Sequence, residues 1–584
     1  MKLSVIALDY DGTIAQRDAL EPSVRDAVAA ARAAGIVVLL ATGRTLSELR
    51  RVVGDLHFVD GVVAENGAVI HFPQSAHTTV LAPLVPPQLA AELARRGVLF
   101  EAGQCLIDAD AKEAPRMLDA IRALELPVVL NFNGGRVMAS PQGISKATGL
   151  LSALNTLRLS PRNALAIGDR ENDHELLRVA EVGVAVEWGS HALRAAADLV
   201  LPGTGPAAVA DYVRKLAATG RLPTPPHPRR RLMLGYTDDG REFSLAVRGR
   251  NVLIAGDVKS GKSWVTGLLC EQLILQGYCV CVVDPEGDYR SLEALPGVVV
   301  LGGEDAPPTP WDLLRALRYP DHSVVLDLSR LRHDEKVSYI RTLLPMLSGL
   351  RRRTGLPHRI VVDEAHYFLH GPDLGQLLDF EQNGYTVVTF NASGLPQPLL
   401  SATEVMIVTC ESNPTEIEAL KRQCSRCSTD DAQWEVLGRL RVGQAVALPI
   451  TEEAGGALRV FTMGPRLTPH VRHREKYVDV PVTEDRAFVF GASGPGAVHR
   501  ARTLRQFVTV VERLPWRALD PYLRRGDFSR WIQEVFGDGA LASDLRAQEV
   551  RYRETGRAQI AQDVVAAVRG RYDLTEEDRE LVPA

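Results

Sequence analysis

Cysteine is scarce. Seven thiols (Cys105, Cys270, Cys279, Cys281, Cys410, Cys424 and Cys427) are scattered through 584 residues, several inside apolar runs, a usage that excludes a disulfide scaffold and fits a reducing compartment. Long apolar runs are missing too, since none approaches the roughly 20 residues that a membrane-spanning helix needs. Met1 to Leu8 leads straight into Asp9-Tyr10-Asp11 without a charged leader, an extended apolar core or a small-residue cleavage site. A cytoplasmic chain without a membrane partner is therefore expected. No charge sign dominates: 67 Lys+Arg stand against 72 Asp+Glu, a net charge of −5, which supplies no global field for a polyanion but leaves a basic face on one domain open. Aromatics are only 6%, yet 46% hydrophobic and 24% charged residues lie in the ordinary globular range and exclude wholesale disorder. No internal repeat is visible, so solenoids and propellers drop out.

What is present is length, and 584 residues leave room for about three or four domains. Thr219 to Arg231 (TGRLPTPPHPRRR) carries four prolines and several arginines and reads as a linker. A softer boundary lies at Thr468 to Asp479, polar, basic and histidine-rich. The first segment alternates short apolar runs (LSVIAL, GIVVLLATG, ALAIGD, VGVAVE) with amphipathic stretches such as VRDAVAAARAA, the βαβ pattern of a parallel sheet flanked by helices. The second repeats it with NVLIAG, YCVCVVD, SVVLDL, RIVVDEA and YTVVTF, so both are α/β. The last hundred or so residues carry charged stretches at helical spacing, for example Val498 to Leu514 and Gln559 to Val568, and are expected to be mostly helical.

Asp9-Tyr10-Asp11-Gly12-Thr13 closes an apolar strand, and carboxylates that end a parallel strand lie at the sheet edge where α/β folds bind ligands. The same geometry recurs at Ala41-Thr42-Gly43-Arg44 and at Gly168-Asp169-Arg170-Glu171-Asn172-Asp173, with Lys146 about one helix before the third strand. Attack of a carboxylate on a phosphoryl group, with Mg²⁺ and a cation neutralising charge, needs such a set. Each motif alone could be a helix cap, but four in order are not explained that way. They resemble the four motifs of the haloacid-dehalogenase phosphatase superfamily over residues 1–215, and Glu65-Asn66-Gly67-Ala68 with the long following stretch resembles its Cof-like subclass IIB. The resemblance implies a Rossmann-like sheet with an α/β cap at about 75–140, where Pro86 to Ser140 reads helix, strand, helix, strand, strand. It implies Asp9 as nucleophile and Asp11 as acid/base, with Thr42 and Lys146 on the phosphoryl oxygens. Mg²⁺ would be held by Asp9, the Asp11 carbonyl and Asp169, with Asp173 supporting the metal directly or through water and Asn172 orienting the site, and the substrate would be a sugar phosphate or small organic phosphate.

Gly256-Asp257-Val258-Lys259-Ser260-Gly261-Lys262-Ser263 follows the strand NVLIA and opens an amphipathic helix, the context a P-loop requires. Its backbone N–H groups would face ATP phosphates, Lys262 would reach the β and γ phosphates, and Ser263 would coordinate Mg²⁺. About a hundred residues on, Asp363-Glu364 ends the strand RIVV and is similar to a Walker B pair, in which Asp363 supports Mg²⁺ and Glu364 activates water. Residues 232–466 resemble the HerA/FtsK ATPases in Leu234-Gly235-Tyr236-Thr237-Asp238-Asp239-Gly240, Asp284-Pro285-Glu286-Gly287-Asp288-Tyr289, Asp363-Glu364-Ala365-His366 and Gly443-Gln444-Ala445. The resemblance implies a RecA-like fold, a homo-oligomeric ring, and Asn391 as a sensor near the γ-phosphate, although an Asn opening a loop is commonly a turn former. The N-terminal barrel of a HerA translocase is absent, which leaves DNA pumping open.

Arg351-Arg352-Arg353 reads first as an exposed basic helix end, with a trans arginine finger or a nucleic-acid contact as alternatives. Cys424 and Cys427 have half a zinc spacing and no second half, so they read as structural or solvent-facing thiols. Cys279 and Cys281 read as buried strand residues, and His470 and His473 as solvent-facing. Trp516, Tyr522, Phe528, Trp531 and Phe536 could stack on nucleobases, but their spacing is better explained by the apolar stripe of a helical domain in 467–584. That region resembles a small helical domain of uncharacterised activity. Overall the chain reads as a phosphatase (1–215), a linker (216–231), an ATPase (232–466) and a helical accessory domain (467–584). The preferred function is a bifunctional phosphatase and ATPase. The alternatives are a nucleic-acid-associated motor or defence-type ATPase with a nucleotide-processing phosphatase, and an ATP-dependent switch gating the phosphatase.

Overall fold

The structure is a computed structural model and describes residues 1–246, 249–369, 374–424, 431–448, 458–469, 478, 481–482, 484–491, 499–536, 539–556 and 559–572. Its first half is built on Val5–Asp9 (β1), a small flap of Ala15–Gln16 (β2) and Ala19–Leu20 (β3), Pro22–Ala33 (α1), Val37–Ala41 (β4), Leu46–Val53 (α2), Gly61–Ala64 (β5), Val69–Phe72 (β6) and His77–Val80 (β7). After an inserted segment the same sheet resumes with Lys146–Leu157 (α5), Ala164–Gly168 (β12), His174–Val179 (α6), Val182–Val186 (β13), His191–Ala196 (α7), Leu199–Leu201 (β14) and Gly205–Thr219 (α8). The strand order is β14-β13-β12-β1-β4-β5-β6-β7. All five residues of β1 are buried, because helices cover both sheet faces and the strand reads as a continuous apolar run rather than an alternation. Parallel pairing aligns Val5 with Ala164 on one side and with Val37 on the other. Asp9, Thr42 and Asp169 therefore emerge at one sheet edge.

The insertion folds as a cap of Pro87–Arg95 (α3), Phe100–Ala102 (β8), Ile107–Asp110 (β9), Ala114–Ala123 (α4), Val128–Asn133 (β10) and Arg136–Pro141 (β11). Its antiparallel sheet, β10-β11-β9-β8, packs Ile107, Ala109 and Val137 against Leu89, Leu93, Met117 and Ile121 of the two helices. Two expectations are corrected here. The cap has one strand more than expected, since β8 and β9 form a hairpin too short to show a period. It also begins after residue 80 rather than near 75, because β7 pairs with β6 in the main sheet.

The second half carries one mixed sheet. Its strands are Leu232–Thr237 (β15), Glu242–Leu245 (β16), Val252–Ala255 (β17), Val280–Asp284 (β18), Val298–Gly302 (β19), Ser323–Asp327 (β20), Arg359–Val362 (β21), Tyr385–Thr389 (β22), Val405–Val408 (β23), Gln444–Leu448 (β24) and Arg459–Met463 (β25). They run in the order β16-β15-β25-β24-β23-β17-β22-β21-β18-β20-β19. From β23 to β19 all pairs are parallel, and the other half is antiparallel. Helices Lys262–Leu275 (α9), Pro310–Ala316 (α10) and His333–Thr354 (α11) flank it, with separate apolar clusters on its two faces.

The two sheets meet at the edges from which their parallel strands start. The buried Tyr278 hydroxyl donates to Glu181 at 2.9 Å, and Glu181 also receives Arg162 and Arg230. His358 accepts the Cys279 N–H at 2.8 Å through Nδ1 and bonds the Asn163 amide oxygen at 3.0 Å through Nε2. Lys2 donates to the carbonyls of Arg352 and Arg353 at the end of α11. The reading of Arg351-Arg352-Arg353 as an exposed basic helix end fits Arg352 and Arg353 and is corrected for Arg351, which is buried with its guanidinium 4.7 Å from the Tyr385 ring; the exposed Arg352 pairs with Asp379 at 2.6 Å. The Pro/Arg-rich segment is anchored as well, with Arg229 on Asp198 and Arg230 on Glu181, and α8 runs through Thr219 before it begins.

The C-terminal region is mostly helical, with helices Leu504–Arg513, Trp516–Arg525, Asp527–Trp531, Gly539–Thr555 and Ile560–Tyr572. A hairpin of Phe488–Phe490 and His499–Ala501 precedes them, so the expected helix from Val498 starts only at Leu504. Phe528, Trp531 and Phe536 are buried with Phe488 and Phe507 in one aromatic core, as the apolar-stripe reading expects, while Trp516 and Tyr522 pack partly buried at its edge. Cys427, His470 and His473 lie outside the described residues. Among the described residues no helix is long and apolar enough to cross a membrane.

Candidate active site

Asp9 ends β1 with its side chain buried, and Lys146, the first residue of α5, points into the same space. A capping box at Ser145 and Thr148 fixes where that helix starts. The Lys146 ammonium donates to Asp9 Oδ1 at 2.5 Å and to Asp173 Oδ1 at 2.7 Å. Asp173 Oδ2 accepts the N–H groups of Asp169 and Arg170 at 3.0 and 3.1 Å, which closes the turn after β12. Asp9, Asp169 and Asp173 each bring a carboxylate oxygen within 4.8 Å of the others, all three buried. Burial, then Asp173, pushes the Asp9 carboxyl well above its ordinary range against the pull of Lys146. Burial and Asp173 raise Asp169 to about 6. Burial acts to lower the Lys146 ammonium, but Asp173 and Asp9 outweigh it and hold it above its usual value.

A divalent cation fits this set. Asp9 Oδ2 and both side-chain atoms of Asn172 are buried without a hydrogen-bond partner, and hard carboxylate oxygens suit Mg²⁺. Gly12 supplies the cradle: its φ is +79°, and a Cβ there would lie 2.1 Å from Asp169 Oδ2. Trp188 holds the turn by donating to the Gly12 carbonyl at 2.7 Å. Thr42 is fully buried and accepts the Arg44 N–H at 3.1 Å. Asp11 sits at the rim, where Arg44 grips both of its oxygens at 2.8 and 2.7 Å and also binds Glu48 at 2.7 Å and Asp18.

The sequence pattern assigns Arg44 no role, although its place two residues after Thr42 is the available signal. It gives no role to Glu65 either. Glu65 has φ +51°, and its carboxylate accepts the N–H groups of Gln104 and Cys105 at 3.0 and 2.8 Å, tying the cap to the core.

In the second half, the loop Gly256 to Ser263 joins β17 to α9 with positive φ at Gly256, Lys259 and Gly261. A Cβ on Gly256 would lie 2.1 Å from Thr409 Oγ1, and Ser260 bonds that same hydroxyl. Lys262 donates to the carbonyls of Gly256 and Asp257 at 3.0 and 2.8 Å. Asp257 accepts from Ser412, and Val258 lies on the loop's partly exposed crest. Ser263 donates to Asp288 at 2.9 Å, and Asp288 belongs to a turn whose four N–H groups, from Glu286 to Tyr289, all bond the buried Asp284 carboxylate. Burial, then Asp288, pushes Asp284 well above the ordinary carboxylate range. Asp363 and Glu364 follow β21, one strand removed from β17, with Glu364 at φ +47° and His366 3.8 Å from it. Asn391 uses its side-chain oxygen locally, accepting Ser393 Oγ and the Gly394 N–H at 3.1 and 3.0 Å.

A capped, mostly parallel sheet with a buried aspartate, lysine and acidic cluster at its strand ends is a phosphohydrolase core. The family model described as haloacid dehalogenase-like hydrolase matches residues 6–95 and 98–213, and the chain belongs to that family through this part. It is 30% identical over 208 residues to a phosphoglycolate phosphatase of Natronomonas pharaonis, covering 33% of this chain and 89% of that one. It is 28% identical to another from Methanopyrus kandleri, covering 36% and 97%. Among solved structures, a haloacid dehalogenase subclass IIB sugar phosphatase aligns with 37% of this chain and 99% of its own, at 20% identity and a TM-score of 0.31. The first 215 or so residues are thus a phosphatase of this superfamily, similar to phosphoglycolate phosphatases, and the family implies a divalent metal at Asp9, Asp169 and Asp173.

Proposed function

We propose that residues 1–215 hydrolyse a small phosphomonoester, of the phosphoglycolate or sugar phosphate kind, through an aspartyl-phosphate on Asp9. The observation that carries this reading is the Asp9–Lys146–Asp173 cluster beside Asp169. Asp9 attacks phosphorus, and Lys146 and Thr42 hold the phosphoryl oxygens as charge moves onto them. Asp11, oriented by Arg44, delivers a proton to the departing ester oxygen and then takes one from the water that frees Asp9. Asp9, the Asp11 carbonyl, Asp169 and Asp173 would hold Mg²⁺, which supplies charge neutralisation, and Asn172 helps orient the phosphoryl group.

The second half, 232–466, is proposed as a HerA/FtsK-like ATP-hydrolysing domain of RecA-like topology. In support, β22 alone separates β17 from β21, so the loop Gly256–Ser263 and the Asp363-Glu364 pair end at the same sheet edge. Lys262 would reach the β and γ phosphates, Ser263 and Asp363 would hold their Mg²⁺, and Glu364 would orient water. Asn391 as a sensor, a ring assembly, a nucleic-acid partner and a cytoplasmic location remain parts of the proposal. The test is phosphate release by the full chain with Mg²⁺, from an aryl phosphate and from ATP, with and without DNA. Asp9→Asn is expected to abolish only the first turnover and Lys262→Ala only the second. Wild-type aryl-phosphate turnover by Asp9→Asn refutes the phosphatase mechanism, and undiminished ATP turnover by Lys262→Ala refutes the second assignment. DNA stimulation favours a motor, and its absence a switch.

A further inference from the structure

We infer that the cavity between the two halves binds a small oxyanion, the phosphate or carboxylate group of a metabolite, and is an effector site. The cavity measures about 260 Å³ and is walled by Met1 to Leu3, Ala34, Ile36 and Thr219 to Arg221 from one side, and by segments of the second half from the other. Four cationic side chains line it, Lys2, Arg221, Arg351 and Arg352, against one carboxylate, Glu381. Of the four, only Arg352 has a carboxylate partner among the described residues, Asp379.

Lys2 contacts carbonyl oxygens, and Arg221 is exposed and makes no ion pair among the described residues. Arg351 is the telling case. It is 4% exposed, its hydrogen bond goes to the Asn383 carbonyl, and Nη1 has no partner. Among the described residues no carboxylate pairs with it directly, Asp379 being taken by Arg352, and a buried guanidinium without a direct ion pair is unfavourable; burial holds it below its ordinary range. The carbonyl end of α11 explains part of this excess, but the partial charge of a helix end does not balance three cations. A bound oxyanion does, and guanidinium groups pair well with phosphate and carboxylate.

The location gives the site its role. β1 starts two residues after Leu3, β4 starts next to Ile36, and β21 starts next to His358, all of which line the cavity. At their far ends these strands deliver Asp9, Thr42 and Asp363. An anion in the cavity therefore grips the roots of strands from both halves and lies outside both catalytic edges.

The test is equilibrium dialysis of the full chain in EDTA, with orthophosphate in one arm and malonate in the other. Wild type is expected to hold one more anion per chain than Arg221→Glu, or to bind it roughly tenfold or more tightly, the loss of one charge-assisted contact. Excess orthophosphate identifies a phosphate site and excess malonate a carboxylate site. Arg351→Gln should behave alike, but it alters the core, so the exposed Arg221→Glu decides. Equal binding of both probes by wild type and Arg221→Glu overturns the inference. Aryl-phosphate and ATP turnover of Arg221→Glu, expected to equal wild type, serve as the folding control. Loss of either catalytic assignment leaves the dialysis result readable.

Discussion

Lys146→Met isolates the electrostatics of the phosphatase centre. The side chain is 1% exposed, and its ammonium bonds both Asp9 and Asp173. Methionine keeps nearly its length and removes its charge, leaving three buried carboxylates within 4.8 Å of one another. Removing one partner of a buried ion pair costs about 3–5 kcal/mol. For a domain of this size about 1 kcal/mol moves Tm by ~2–4 °C, so the phosphatase transition should fall by roughly 6–20 °C. The assay is calorimetry of the full chain in EDTA, compared with the same scan in excess Mg²⁺, whose charge should restore part of the loss. The pH dependence has a definite sign. Asp9 and Asp169 already sit above their ordinary range, and a group raised by folding is stabilised as it takes up a proton, so the deficit of the variant should grow as pH rises. A fall of less than about 2 °C in EDTA, or one that Mg²⁺ does not narrow, refutes the view that Lys146 stands in for missing positive charge.

Gly12→Ala should spare the fold and lose the chemistry: a left-handed alanine costs about 1–2 kcal/mol, while its Cβ, 2.1 Å from Asp169 Oδ2, displaces that carboxylate. A loss on the order of 10²-fold in aryl-phosphate kcat with a melting transition lowered by only about 2–8 °C is the expected result. His358 is buried neutral, lowered from 6.5 to about 3 by burial and then by Arg162 and Arg351. Its contribution is intact above the unfolded value and is lost as pH falls from 6.5 towards 3, at about 1.4 kcal/mol per pH unit at most. His358→Asn should flatten that limb in denaturant titrations of the full chain.

The catalytic-looking residues were legible because each ends an apolar run, and parallel pairing places such ends at one edge whatever their separation in sequence. Asp9, Thr42 and Asp169 share an edge for that reason, Lys146 joins them from the start of α5 and Asp173 from the turn after β12, and the glycine-rich loop and Asp363-Glu364 share the corresponding edge of the second sheet. Short elements were not legible. Phe100–Ala102 and His499–Ala501 have three residues each, too few for a period to register, and their identity as strands is set by hairpin partners. The burial of Arg351 was hidden for a different reason, since a run of three arginines at a helix end gives no hint that another segment will cover it. Glu65 and Arg44 act through backbone amides and a carboxylate supplied from elsewhere, and only the folded chain brings these together.

The arginine-studded proline segment was expected to behave as a tether, yet Arg229 lies on Asp198 and Arg230 on Glu181, two carboxylates that belong to the phosphatase sheet and are almost wholly covered. A cut at the compositional seam would strip Asp198 of Arg229, leave Glu181 with Arg162 alone, and uncover the Tyr278 and His358 contacts at the same stroke. Expressed alone, the first 215 residues would carry stranded negative charge on what had been an inner wall. Dissection by truncation would then report the damage of separation rather than the properties of the parts, and point substitutions in the intact chain are the cleaner instrument.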